Sequence, residues 1–195
     1  ITVSGSQLFF ASFLTSPWDI LAALSLAAMM MLIKTILTHN IGIILGIAGI
    51  AALLGLSVTP IAALLIISAL SIYDIISVYK TKHMVRLAEN MVQSGAIFGF
   101  LIPIQYRDFL MRIGNNNFRD RCMILGSGDI GLPIMFAASL VTTSLTSAFI
   151  VAGFSAAGLF VTHLLFVNQG QRQAMAALPP IATASILGYF ISIFL

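Results

Sequence analysis

The 195-residue chain is 59% hydrophobic and 8% charged, with a net charge of +3 and a mean hydropathy of +1.07. Soluble domains carry about 25% charged residues, so a water-soluble globule is excluded, and the few scattered basic residues exclude a nucleic-acid-binding surface. One cysteine, Cys122, excludes an internal disulfide and a cysteine-rich metal cluster. His39, His83 and His163 stand far apart with no metal-ligand spacing, so no metal or other cofactor is expected.

Apolar runs of this length predict an all-α fold, a polytopic transmembrane helical bundle. The chain opens at Ile1, not Met, with no basic, cleavable leader in view, and so reads as a fragment of a longer protein. Val3 to Leu14 is too short to cross about 30 Å of hydrocarbon at about 1.5 Å per residue, and reads as the visible end of another span. "TSPWD" (15–19) marks a boundary, with Trp18 suited to the membrane interface and Asp19 to capping a helix start. Six spans follow, over about 18–37, 41–57, 60–79, 122–142, 146–167 and 177–195. "THN" (38–40) and "SVTP" (57–60) read as tight connections, and 80–121 is the long polar segment. Gly42 and Gly46 form a small-xxx-small packing face. "GAIFGFLIPI" (95–104) is apolar but too short to span. Pro103 stops it continuing as a regular helix or central strand; it reads as backbone to which an extended peptide could add as a strand, and a helix lying at the interface is the other reading.

The basic residues set the sidedness. Lys34 lies near the 38–40 turn. Lys80, Lys82, Arg86, Arg107, Arg112, Arg119 and Arg121 lie in or beside 80–121, and Arg172 lies in 168–176. Alternating spans put all nine on one side, which the positive-inside rule makes cytoplasmic, with the C-terminus on the outer side.

Four of the six acids have simple settings: Asp19 at a helix start, and Glu89, Asp108 and Asp120 among basic residues of the polar segment. Asp74, in "SIYDIISVYK", and Asp129, in "ILGSGDIGLP", lie within apolar runs, where a carboxylate costs several kcal/mol. Counted at helical rise, Asp74 lies about 9 Å from Lys80 and Asp129 about 12 Å from Arg121. Two spans running oppositely thus deliver carboxylates to similar depths. Side by side, they would share one proton and activate water, as in an aspartic protease. An interhelical hydrogen bond is the plainer reading. Gly126 and Gly128 clear side chains from beside Asp129 and let another backbone approach. Pro133 loosens the helix one turn on. Tyr73 either orients the neighbouring carboxyl or packs.

Three motifs coincide in order: Tyr73-Asp74, Gly126-Ser127-Gly128-Asp129, and Ala177-Leu178-Pro179 opening the last span. Together they resemble the presenilin and signal peptide peptidase family of GxGD intramembrane aspartyl proteases, most closely its archaeal presenilin homologues. The resemblance implies a nine-helix fold, of which this chain shows about six full spans and one partial. It makes 1–57 a partial set of N-terminal transmembrane helices and 58–195 the catalytic region, with the cytoplasmic loop 80–121. It implies Asp74 and Asp129 as the catalytic pair. It also implies Tyr73, Gly126, Gly128, Ala177, Leu178 and Pro179 as positioning substrate. Ala176 replaces the first proline of the family's Pro-Ala-Leu motif. The implied partners are the transmembrane helix of a substrate protein and the lipid bilayer, with no obligatory partner subunit and a homo-oligomer left open. The family also implies cleavage within the 80–121 loop on maturation. Two rivals use the same acids. A proton- or cation-conducting channel or transporter would pair them along an ion path, but the spans show no inverted repeat. A prepilin-type GxGD peptidase usually carries a Cys-x-x-Cys pair, and this chain has one cysteine.

Overall fold

The computed structural model describes residues 2–81, 99–103, 109–112, 122–169 and 175–194. Its elements are α1 (Thr2–Ala11), α2 (Trp18–Leu32), α3 (Ile36–Ser57) and α4 (Pro60–Ile75), which continues as a single π-helical turn, Ile76–Lys80. They are followed by β1 (Gly99–Pro103), β2 (Cys122–Gly126), α5 (Ser127–Ser139), α6 (Leu145–Val167) and α7 (Leu178–Phe194). Lys82, His83, Arg86, Glu89, Arg107, Asp108, Arg119, Asp120, Arg121, Arg172 and the start of the 95–104 stretch lie outside the described residues.

Among the described residues, three helices are long and apolar enough to cross a membrane: α3, α4 with its π turn, and α6. Helices α2 and α7 are apolar but shorter. Large side chains such as Leu145, Phe149, Phe160 and Phe190 are exposed on α6 and α7, as suits helices solvated by lipid rather than water. The two best-defined starts follow from capping. The Thr59 side chain accepts the Ala62 N–H, with Pro60 at the first helical position, and the Ser144 side chain accepts the Ser147 N–H at 3.2 Å.

Three expectations are corrected. "THN" lies inside α3, and the chain breaks earlier, at 33–35. The polar residues of a helix start had the look of a turn. The run 122–142 is not one helix: 122–126 is extended and pairs with β1, and the helix spans Ser127–Ser139. A buried strand and a buried helix present the same apolar run. Asp19 does not cap α2. Pro17 occupies the N-cap position with no side-chain cap bond, and Asp19 Oδ1 is buried without a partner. Nothing in the structure explains that buried oxygen.

The chain divides into two compact units, Ile1–Ile50 with Glu89–Ser127, and Ala51–Ala88 with Gly128–Leu195. In the first, the glycine face of α3 meets two helices. A Cβ at Gly42 would fall on the Met30 sulfur of α2, and one at Gly49 on the Gly5 carbonyl of α1. Strands β1 and β2 form an antiparallel hairpin in the register Gly99↔Gly126, Leu101↔Ile124, Pro103↔Cys122. Leu101 and Ile36 are fully buried, with Phe109, Met111 and Ile124 packed on them. Thr35 bridges to Arg112, and the Ile36 N–H donates to the Met111 carbonyl at 3.1 Å, so Lys34 and Arg112 share one end of this unit.

In the second unit α6 and α7 make the most extensive contact among the described helices. Small residues allow it. A Cβ at Gly158 would come within 2.9 Å of the Ile181 Cα, and one at Gly188 within 2.8 Å of the Phe154 Cβ. The Ser155 and Ser185 hydroxyls share a buried hydrogen bond of 2.7 Å across this interface. The Val151 and Ile181 carbonyls lie within reach of the same two hydroxyls, whose two protons serve two of these three contacts at a time.

Candidate active site

Asp74 is the penultimate residue of α4 and is 8% exposed. A carboxylate inside an apolar helix is costly unless its oxygens are bonded. This one has a compensating partner. Its Oδ2 accepts the backbone N–H of Leu178 at 3.2 Å. Leu178 opens α7, where backbone N–H groups lack intrahelical acceptors and the dipole favours an anion. Asp74 therefore closes the start of a helix other than its own, and α4 packs chiefly on α7.

The segment entering α7 is built for that contact. Ala176, Ala177 and Leu178 are all buried, 175–177 is irregular, and Pro179 and Pro180 lie in the first helical turn. The missing first proline of the motif, replaced by Ala176, has not prevented a clean break before Leu178. Tyr73, by contrast, is 53% exposed and makes no hydrogen bond to Asp74. Sequence reasoning missed Ser77. It lies three residues beyond Asp74 on the same helical face, in the π turn, and its hydroxyl is buried without a hydrogen-bond partner. The signal was available, since a serine at that spacing inside an apolar helix normally bonds to a carbonyl one turn back. The π turn itself is marked by the Thr81 N–H, which donates to the Ile76 carbonyl at 3.0 Å, five residues back.

Asp129 is the third residue of α5, within the first turn, and is partly buried. Its depth reckoned at helical rise does not hold, because Cys122 to Gly126 is extended at about 3.3 Å per residue. Gly126 ends β2 opposite Gly99, where a Cβ on Gly99 would come within 2.7 Å of the Leu125 carbonyl oxygen. Around Gly128 the space is open, with no described atom within 4 Å of an added Cβ. A cavity of about 400 Å³ starts at Asp129 and follows α5 against α6 as far as Val141. Pro133, Ala137, Ala148 and Ala152 make it apolar, with Ser155 its other polar wall. Among the described residues no three His, Cys, Asp or Glu side chains converge to hold a metal ion.

The structure thus joins Asp74 to Leu178 and gives Asp129 a cavity. Residues 7–195 match the family model described as signal-peptide peptidase, presenilin aspartyl protease. Two solved structures of a presenilin family intramembrane aspartate protease are similar. The one in the C222 space group is 27% identical with a TM-score of 0.57 over 90% of this chain, and the one in P2 is 26% identical with a TM-score of 0.59 over 99%. The chain spans 60% of the length of the first and 69% of the second. No curated protein matches. With a family match over almost its whole length, the chain belongs to the signal-peptide peptidase and presenilin family of aspartyl proteases.

Proposed function

We propose that the protein is an intramembrane aspartyl protease that hydrolyses peptide bonds within the transmembrane segments of substrate proteins, using Asp74 and Asp129 to activate water. The observation that carries this reading is the bond from Leu178 N–H to the Asp74 carboxyl, which ties an acid inside an apolar helix to the motif opening α7. It is also the interhelical bond of the plainer reading, and what favours the protease is that its donor is the motif residue opening α7.

In the proposed cycle the two carboxyls share a proton. The ionised member takes a proton from water as the water oxygen attacks the scissile carbonyl carbon. The neutral member hydrogen-bonds and then protonates the carbonyl oxygen. Collapse of the tetrahedral intermediate breaks the C–N bond, the amine leaves with a proton, and the roles exchange. The Leu178 N–H fixes the Asp74 carboxyl throughout. A transmembrane helix must also be unwound locally, because its carbonyls are hydrogen-bonded and shielded by lipid. Strand addition on the β2 side of the hairpin or to the backbone at Leu178 would satisfy the freed groups, and the open space at Gly128 admits a substrate backbone beside Asp129.

The reading assigns the chemistry to 58–195, with 1–57 as N-terminal membrane helices. It places 80–121 in the cytoplasm and the C-terminus outside, in the presenilin sense, with substrates whose N-terminus faces out. The common end of Lys34 and Arg112 supports that sidedness. The test is cleavage of a fluorescent transmembrane-peptide reporter by purified protein in liposomes. Cleavage that is lost in folded Asp74→Ala and Asp129→Ala, and blocked in the parent by a hydroxyl-bearing peptide isostere, supports the protease. No cleavage, with Asp-dependent ion flux in the same liposomes, overturns it in favour of a channel.

A further inference from the structure

Helix α3 closes the outer edge of β1. Asn40 is 3% exposed, and its side-chain amide binds one residue twice. Its Nδ2 donates to the Leu101 carbonyl at 2.7 Å, and its Oδ1 accepts the Leu101 N–H at 2.9 Å. A backbone N–H only donates and a carbonyl only accepts, so this pair also fixes which way the amide faces. One residue earlier, His39 Nε2 donates to the Gly99 carbonyl at 3.1 Å.

A carboxamide carries the donor and acceptor of a peptide group, so Asn40 stands where a third strand would. In an antiparallel pair, a residue whose N–H and C=O both point away from its partner strand belongs to a non-hydrogen-bonded pair. Leu101↔Ile124 is such a pair, and Gly99↔Gly126 and Pro103↔Cys122 share its phase. Pro103, the next outward position, has no N–H to satisfy. The edge is therefore matched by α3 side chains at the Gly99 carbonyl and at both groups of Leu101, and relieved of a donor at Pro103. Two adjacent polar side chains inside an apolar helix are expensive unless bonded, and both are spent on this strand.

The register so held has a consequence downstream. Slipping the hairpin by one residue would turn every β2 side chain to the other face. It would also rotate the chain that enters Ser127, Gly128 and Asp129 directly after Gly126. We propose that Asn40, supported by His39, is a positioning residue for proteolysis, locking the hairpin register and thereby selecting which substrate bond is cut. This rests on the protease reading above. With its outer edge occupied, β1 is not available to a substrate strand.

The test compares the parent with Asn40→Leu and Asn40→Asp on the transmembrane-peptide reporter, with products sized by mass spectrometry and Leu101 amide exchange measured in the parent. In the parent one bond dominates and the Leu101 amide is strongly protected. In Asn40→Leu the cuts spread to neighbouring bonds and KM rises about tenfold, with kcat changed less than about threefold. Asn40→Asp behaves alike at neutral pH and regains the parent's cut pattern in acid, where a neutral carboxyl again offers a donor and an acceptor. Folded variants that keep the parent's cut positions and KM overturn the proposal. So does rapid exchange at Leu101 in the parent, whether or not the variants fold. A parent that cuts nothing overturns the protease reading and this proposal with it, whatever Leu101 shows.

Discussion

The two acids occupy opposite kinds of setting. Asp74 lies near the end of a long helix, buried, with one oxygen held by the backbone that starts α7. Asp129 lies in the first turn of a short helix, partly exposed to a cavity of about 400 Å³, beside open space at Gly128. One carboxyl is buried against the start of α7 and the other borders open space. A reaction on a large apolar substrate needs both: a group whose orientation is set before binding, and a group with room for the bond to be cut.

The contrast breaks most sharply at Asp74. Either alanine variant lowers cleavage by about 10²-fold to 10⁴-fold, and Asp74→Ala also strands the Leu178 N–H, at about 1–3 kcal/mol. Asp74→Asn keeps an acceptor for that N–H, so it stays inactive while its thermal unfolding in detergent returns toward the parent. If the two variants melt alike, the bond is not a structural anchor.

Two glycines sharpen the comparison next. Gly158→Ala drives a methyl into the α6–α7 contact and destabilises by about 1–3 kcal/mol, visible as a lower melting temperature. Gly128→Ala meets open space and leaves the melting temperature unchanged, while narrowing the approach to Asp129. It lowers reporter kcat/KM about tenfold, an effect of about 1.4 kcal/mol. Unaltered kinetics in Gly128→Ala would mean the substrate comes from elsewhere.

Smaller effects follow. Ser155→Ala removes the hydroxyl bond to Ser185 and lowers stability by about 0.6 kcal/mol. Tyr73→Phe, at an exposed side chain with no bond to Asp74, changes cleavage by less than about twofold. A larger loss would place the phenol in the substrate path.

Helices α4 and α6 were legible because long apolar runs met clear starts, Thr59-Pro60 and Ser144. The three motifs picked out Asp74, Asp129 and Leu178 as a set, because acids are rare in such runs. What remained hidden was non-local. The sequence at 38–40 shows three polar residues, and only the fold reveals that two of them, His39 and Asn40, satisfy β1, some sixty residues on. Residues 122–126 carry no helix-breaking side chain before Gly126, so their pairing with 99–103 was invisible to periodicity. The role of Leu178 was equally hidden, since it works through its backbone N–H and any residue but proline supplies one.

The proline pair after Leu178 has a consequence for the chemistry. A carboxylate at a helix start ordinarily gathers amides from the second and third positions, and both of its oxygens are then engaged. Here those positions are Pro179 and Pro180, which have no hydrogen to give. Of the first three amides of α7, Leu178 alone has a hydrogen for Asp74. The two positions that would most often engage the other oxygen have none, which leaves room there for water or substrate.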